Sequence, residues 1–173
     1  MDFSKLSGKI FFKNKFIDSK KANVHVLNHS LHFASAIFEG IRVYNSKSLF
    51  LRDHIHRLFQ SAEIMRLRIN YSSKQVEKII QTLIVKNKLN EGYIRPIVFR
   101  SSHSMSPETS KCKSILAIAG WKWGNLFTKD NGISINLSKY PRLNYQIYPI
   151  HAKSTGSYQT SVISRIDSKK KKF

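Results

Sequence analysis

Near the end of the chain one lysine, Lys153, stands among small residues in the run His151-Ala152-Lys153-Ser154-Thr155-Gly156-Ser157, and Tyr158 follows. A lysine amine does covalent chemistry by condensing with a carbonyl. It then needs small neighbours so that a flat aldehyde can approach, and a nearby phenol can hydrogen-bond a hydroxyl on that ring. By itself Lys153 is one of 21 lysines. Its neighbourhood raises it to a candidate for Schiff-base chemistry.

Other chemistries find little footing. His29, His32, His54 and His56 have no cysteine pair or glutamate at metal-ligand spacing, so they read as structural histidines and no metal is expected. The seven glycines are spread out, with no phosphate-cradling loop of the kind ATP or NAD enzymes use. The single Cys112 permits no internal disulfide. The net charge of +20 invites a nucleic-acid reading. However, 21 of the 30 basic residues are Lys and nine are Arg, and they scatter from Lys5 to Lys172 with one dense run. Base and phosphate recognition favours the planar fork of Arg. The excess reads better as compositional drift, with a nucleic-acid-binding protein as the weaker alternative. No apolar run approaches the roughly 20 residues of a membrane span, and the N-terminus lacks the apolar core of a signal peptide. A cytoplasmic protein with no membrane association is expected.

Several motifs in one order say more. Val24-His25-Val26-Leu27-Asn28-His29-Ser30-Leu31-His32-Phe33 is followed by Phe38-Glu39-Gly40-Ile41-Arg42, then His54-Ile55-His56-Arg57-Leu58 with Ser61-Ala62. Tyr93-Ile94-Arg95-Pro96, Trp123-Gly124 and Ala152-Lys153 complete the series. In this order, over nearly the whole chain, they resemble bacterial branched-chain amino acid aminotransferases, which are fold type IV pyridoxal phosphate enzymes.

The resemblance implies pyridoxal 5'-phosphate as cofactor, carried on Lys153, which would also shuttle the proton at the substrate Cα. It implies that Arg57 holds the cofactor phosphate and that Tyr158 meets the ring hydroxyl. Phe38 and Trp123 would line the apolar pocket for a Leu, Ile or Val side chain. Tyr93 would help bind the substrate α-carboxylate, and Arg95 would meet the side-chain carboxylate of glutamate. The partners implied are branched-chain amino acids, their 2-oxo acids, and glutamate with 2-oxoglutarate, in a homo-oligomer if the protein is complete. Phe33 stands where such enzymes usually carry a tyrosine that assists glutamate binding, Leu126 replaces another pocket tyrosine, and Ser154-Thr155-Gly156-Ser157 is bulkier than usual. Weaker glutamate recognition is expected. The resemblance further implies a second domain continuing past Phe173, which would supply a partner for the cofactor's ring nitrogen. The polypeptide alone is therefore expected to be inactive or to need a C-terminal half, the alternative being a non-catalytic remnant.

The elements that must position these groups are legible in part. Residues Lys9 to Val26 alternate around Lys13-Asn14-Lys15, which predicts a hairpin and a further strand. Ile55, Leu58, Phe59, Ala62 and Met65 recur at helical spacing from Asp53, the expected N-cap, to Leu67. Ser72 and Gln75 predict a capping box for a second helix ending near Lys88. Tyr93 to Arg100, Ser114 to Trp121 and Ile133 to Lys139 read as strands. The expected class is α+β, a mostly antiparallel sheet with two helices over residues 1–127. Residues 128–173 would be an interdomain loop and the start of a second domain, with Tyr140 to Phe173 loosely held and the lysine run a solvated tail.

Overall fold

The computed structural model describes residues 6–101, 104–124 and 134–170. The chain opens with β1 (Lys9–Phe12) and β2 (Lys15–Asp18), paired from Lys9↔Asp18 to Phe12↔Lys15. Lys13 and Asn14 form the two-residue turn with φ of 47° and 66°. Two positive φ values are what a tight hairpin needs if its turn is to follow the twist of its strands. The further strand toward Val26 is not formed. Ser19–Lys21 make a turn of 3-10 helix instead, and residues 22–25 carry no regular element.

Next come α1 (His29–Phe33), capped by the Asn28 side chain accepting from Ser30 N–H, then β3 (Ala36–Phe38), β4 (Ile41–Tyr44) and β5 (Lys47–Ser48). The first long helix, α2, runs Leu51–Ile64, so Asp53 lies in its first turn and is not the cap; Phe50, in the left-handed region at φ 47°, precedes it. The second, α3 (Ser73–Lys86), has the expected capping box of Ser72 and Gln75. Strands β6 (Gly92–Arg100) and β7 (Ser114–Lys122) follow, and α4 (Gln159–Lys170) ends the described part.

The sheet runs β2-β1-β7-β6-β4-β5, with β3 also on β6, and every pairing is antiparallel. Helices α2 and α3 cover one face. Ile55, Leu58, Val76, Ile80 and Leu83 meet Ile37, Ile41, Val43, Ile94, Val98 and Ile118 there to form the main core. A smaller cluster of Phe12, Ala36 and Phe99 lies apart from it. The α+β expectation therefore holds, although the described residues carry four α-helices.

The β3–β6 and β4–β6 pairings keep one register, Phe38↔Ile97 continuing to Ile41↔Ile94 across a gap at Glu39-Gly40. Pro96 faces that gap. Its carbonyl accepts from Glu39 N–H at 2.9 Å, but a proline has no N–H to return the bond. One long strand is thereby split in two, and the split carries Glu39.

No strand forms over residues 134–139, so the expected strand from Ile133 is absent among the described residues; Ile133 itself, Leu126 and the expected boundary at Phe127 lie outside them. Ser168–Lys170 belong to α4, while Lys171 to Phe173 are also outside. The expectation of a loosely held end needs correcting at one place. Ile135, Leu137, Tyr145 and Ile147 are exposed, yet Ala152 and Ser154 are buried, and Ser154 forms a β-bridge with Ile37.

Candidate active site

Lys153 reaches the sheet through its backbone. Its carbonyl accepts from Phe38 N–H at 3.0 Å, and its own N–H donates to Ser61 Oγ on α2, also at 3.0 Å. The next turn is pinned by Thr155 Oγ1 donating to Ala34 O at 2.9 Å, and by the Tyr148 and Ser154 hydroxyls 2.7 Å apart. A Cβ at Gly156 would come within 2.6 Å of Tyr148 Oη and displace that hydroxyl from Ser154. The segment of small residues thus lies against β3, not around an open surface.

The Lys153 amine donates to Tyr158 Oη at 2.6 Å. It lies 4.9 Å from the Phe38 ring centre and 5.1 Å from that of Tyr158, and the two rings are 5.0 Å apart. Contact then passes along the sheet. Strand register sets Phe38, Gly40 and Arg42 on the same face as Tyr93, Arg95 and Ile97. The Arg95 guanidinium stacks 4.5 Å from Phe38 and 5.3 Å from Tyr93, and its Nη2 donates to Tyr93 Oη at 3.2 Å. Arg95 Nε is buried with no hydrogen-bond acceptor among the described residues. Tyr93 also packs edge-on to Trp123, at 5.0 Å. Its hydroxyl occupies the space a side chain at Gly40 would take, because a Cβ there would meet it at 1.7 Å.

Arg57 enters from the other side. On the helix-covered face Glu39 is fully buried and accepts from Arg57 Nε at 2.5 Å, Arg57 Nη2 at 2.8 Å and Gly40 N–H at 3.2 Å. His54 Nδ1 lies 2.8 Å from the same carboxylate and, facing an acceptor, must carry the proton. Burial pushes the Glu39 carboxyl up, but the donors from Arg57 and His54 outweigh it, and the net shift is downward. Arg57 is correspondingly held protonated, chiefly by its hydrogen bond to Glu39, with a smaller contribution from Tyr158. The Glu39 bonds use Nε and Nη2. Among the described residues Nη1 of this half-exposed side chain has no acceptor.

Six of the eight sequence candidates therefore form one run of contacts: Lys153, Tyr158, Phe38, Arg95, Tyr93 and Trp123. Arg57 adjoins it through Glu39. Phe33 stands apart at the end of α1, 38% exposed, with its ring 4.6 Å from that of His29. Two contributors were missed in the sequence. Glu39 carries a readable signal, a lone acid inside the apolar run Ala36 to Ile41, which a buried strand tolerates only with a cation beside it. Ser61 carries none, since nothing local distinguishes it from other helical serines.

A family model described as amino-transferase class IV matches residues 36–173. The chain belongs to that family. Among the relatives of this class IV chain is the branched-chain-amino-acid aminotransferase of Pseudomonas aeruginosa, 33% identical over 171 residues, covering 95% of this chain and 56% of that protein. The Salmonella typhimurium protein of the same name is 32% identical, over 92% of this chain and 54% of the other. The solved branched-chain aminotransferase of Thermoproteus uzoniensis with norvaline superposes with a TM-score of 0.89 at 27% identity, covering 96% of this chain and 57% of its own. The solved branched-chain amino acid aminotransferase of Escherichia coli gives 0.82 at 30% identity, covering 91% and 52%. The described fold is thus that of the N-terminal domain of these aminotransferases. The chain spans about half the length of the curated relatives it matches.

Proposed function

We propose that the chain carries part of the site of a cytoplasmic branched-chain amino acid transaminase, which moves an amino group between Leu, Ile or Val and 2-oxoglutarate with pyridoxal 5'-phosphate. Residues 1–127 would be its N-terminal domain and 128–173 the start of the next. The observation that carries this reading is the Lys153 amine over the Phe38 ring, bonded to the Tyr158 hydroxyl at 2.6 Å. An amine, a phenol, two guanidiniums and apolar walls suit a ligand bearing an aldehyde, a ring hydroxyl and a phosphate. When bound, the coenzyme supplies the electron sink for substrate Cα–H cleavage.

The chain's own groups would hold and orient. Lys153 Nζ would anchor the coenzyme and, once released by the incoming amine, take the Cα proton and return it. Arg57 would offer its Nη1 edge to the phosphate, with Glu39 fixing the opposite edge. Tyr158 Oη would bond the ring hydroxyl. Phe38 and Trp123 would exclude water from a branched side chain, while Tyr93 and Arg95, with its spare buried Nε, would take carboxylate oxygens. Phe33, exposed at the end of α1, makes no contact with these groups, and the reading places the chain in a homo-oligomer.

Purified chain mixed with pyridoxal phosphate should develop a visible absorption band. Borohydride should fix the coenzyme on the peptide containing Lys153, and Lys153→Ala should abolish both. A wild-type chain with no such adduct refutes the reading. Transamination of leucine with 2-oxoglutarate, assayed with and without a separately made C-terminal half from a relative, then separates a self-sufficient enzyme from a partial site.

A further inference from the structure

An amine can be used at a defined place only if its backbone is fixed, and Lys153 lies in a stretch outside helix and strand. Its carbonyl is held by β3 through Phe38 N–H, and its N–H is held by a side chain, Ser61 Oγ, on α2. Ser61 is fully buried, as is neighbouring Ser154. At such a helical position alanine would be better for the helix, and an idle buried hydroxyl carries a cost. The acceptor it offers to Lys153 accounts for its presence.

Ser61 also stands four residues after Arg57 on α2. Residues so spaced share a helix face, about 6 Å apart along the axis. One rigid helix therefore carries both the half-exposed cation and the group that holds the main chain of Lys153. We propose that Ser61 is a positioning residue that fixes the Lys153 amine relative to the Arg57 guanidinium, so that a ligand bearing both an aldehyde and a phosphate is captured at two points at once. The inference rests on the coenzyme reading above and adds a requirement to it. Two-point capture raises affinity through effective concentration, which depends on the spacing of the two points.

The test compares the full chain with Ser61→Ala in two measurements. The first needs no ligand: amide hydrogen exchange at Lys153, at Phe38, whose N–H donates to Lys153 O, and at Glu39, whose N–H donates to Pro96 O. Loss of one hydrogen bond should speed exchange at Lys153 and Phe38 about fivefold or more and leave Glu39 unchanged. The second is the ratio of affinities for pyridoxal phosphate and pyridoxal, read by borohydride trapping on Lys153. Wild type should favour the phosphate-bearing aldehyde. Ser61→Ala should lose most of that preference, its trapping of pyridoxal phosphate falling much further than its trapping of pyridoxal. Unchanged exchange at Lys153, an equal rise at Glu39, or an undiminished phosphate preference each overturns the proposal. A wild-type chain that traps neither aldehyde instead sinks the coenzyme reading and the two-point role with it, while the exchange arm still reports whether Ser61 holds the lysine.

Discussion

Replacing Glu39 by Gln gives the most discriminating stability experiment, because shape is nearly kept and one buried charge is removed. The wild-type carboxylate accepts two bonds from Arg57, one from His54 and one from Gly40 N–H. Breaking a buried ion pair by removing one partner typically costs about 3–5 kcal/mol, because the other charge is left stranded. Here the stranded partner is not trapped. The Arg57 side chain is 49% exposed and can turn to water, so its share falls toward the ~1 kcal/mol of a surface pair. The more enclosed His54 adds about 1.5–3 kcal/mol for a bond to a charged group, and relief of glutamate desolvation offsets part of the sum. The expected loss is about 2 kcal/mol at pH 7, roughly 30-fold in the folding equilibrium.

The sign of the pH dependence follows from the direction of the shift. Glu39 titrates below its ordinary value in the folded chain. Its stabilisation is therefore fully present above the unfolded-state value near about 4.3, and is lost as pH falls through the lower, folded value. Urea unfolding of wild type and Glu39→Gln at closely spaced pH values from 7 to 3 should show a constant gap down to about pH 5. Below that the gap should close as wild type loses its advantage. A gap that is small at neutral pH, or one that stays the same down to pH 3, would refute the ion-pair account of this cluster.

Other expectations are simpler. Gly40→Ala should displace Tyr93 and break its bond from Arg95, given the 1.7 Å approach of a Cβ to Tyr93 Oη; a loss of about 1–3 kcal/mol in urea unfolding, with altered tyrosine fluorescence, is expected. Ser72→Ala removes the helix cap of α3 and should cost about 1 kcal/mol, measured the same way. Leu83→Ala, at a fully buried core position, should cost about 2–5 kcal/mol and lower the thermal midpoint. Phe33→Tyr should strengthen glutamate binding to an assembled enzyme without changing the trapping of pyridoxal phosphate on Lys153; equal glutamate affinity in both forms would remove Phe33 from the substrate site.

Sequence pattern served best where one periodicity governed a whole element. The apolar stripe of α2, the Ser72–Gln75 box and the strands β6 and β7 were all legible, since each is set by local spacing and then reinforced by the core. It failed for α1, β3, β4 and β5, which are five residues or shorter and so too short to show a periodicity, β3 and β4 depending besides on the distant β6. The strand expected over Ile133 to Lys139 failed in the opposite sense at its described residues, 134–139. Alternation there is good, but Ile135 and Leu137 are exposed and pair with no strand among the described residues, and alternation is a preference for a sheet that must be supplied from elsewhere.

The candidate site was legible as a set of residue types and illegible as an arrangement, and Pro96 explains much of the difference. Read locally, a proline inside Gly92–Arg100 counts against a central strand. In the fold it sits where the neighbouring strand divides, so its missing N–H falls opposite Glu39. Strand alternation, kept in register across the division, sets Phe38 and Glu39, adjacent in sequence, on opposite faces of the sheet: Phe38 under the Lys153 amine, and Glu39 on Arg57 beneath the helices. The amine and the cation are thus tied to two consecutive residues of one interrupted strand. A proline that restored a continuous ladder on substitution, as Pro96→Ala would by regaining an N–H, should draw Glu39-Gly40 into the strand. Because alternation already separates the two functional groups, that change should leave the Arg57–Glu39 pair and the trapping of an aldehyde on Lys153 intact, by exchange protection and by borohydride; loss of either would show that the interruption itself holds Glu39 or Phe38 in place.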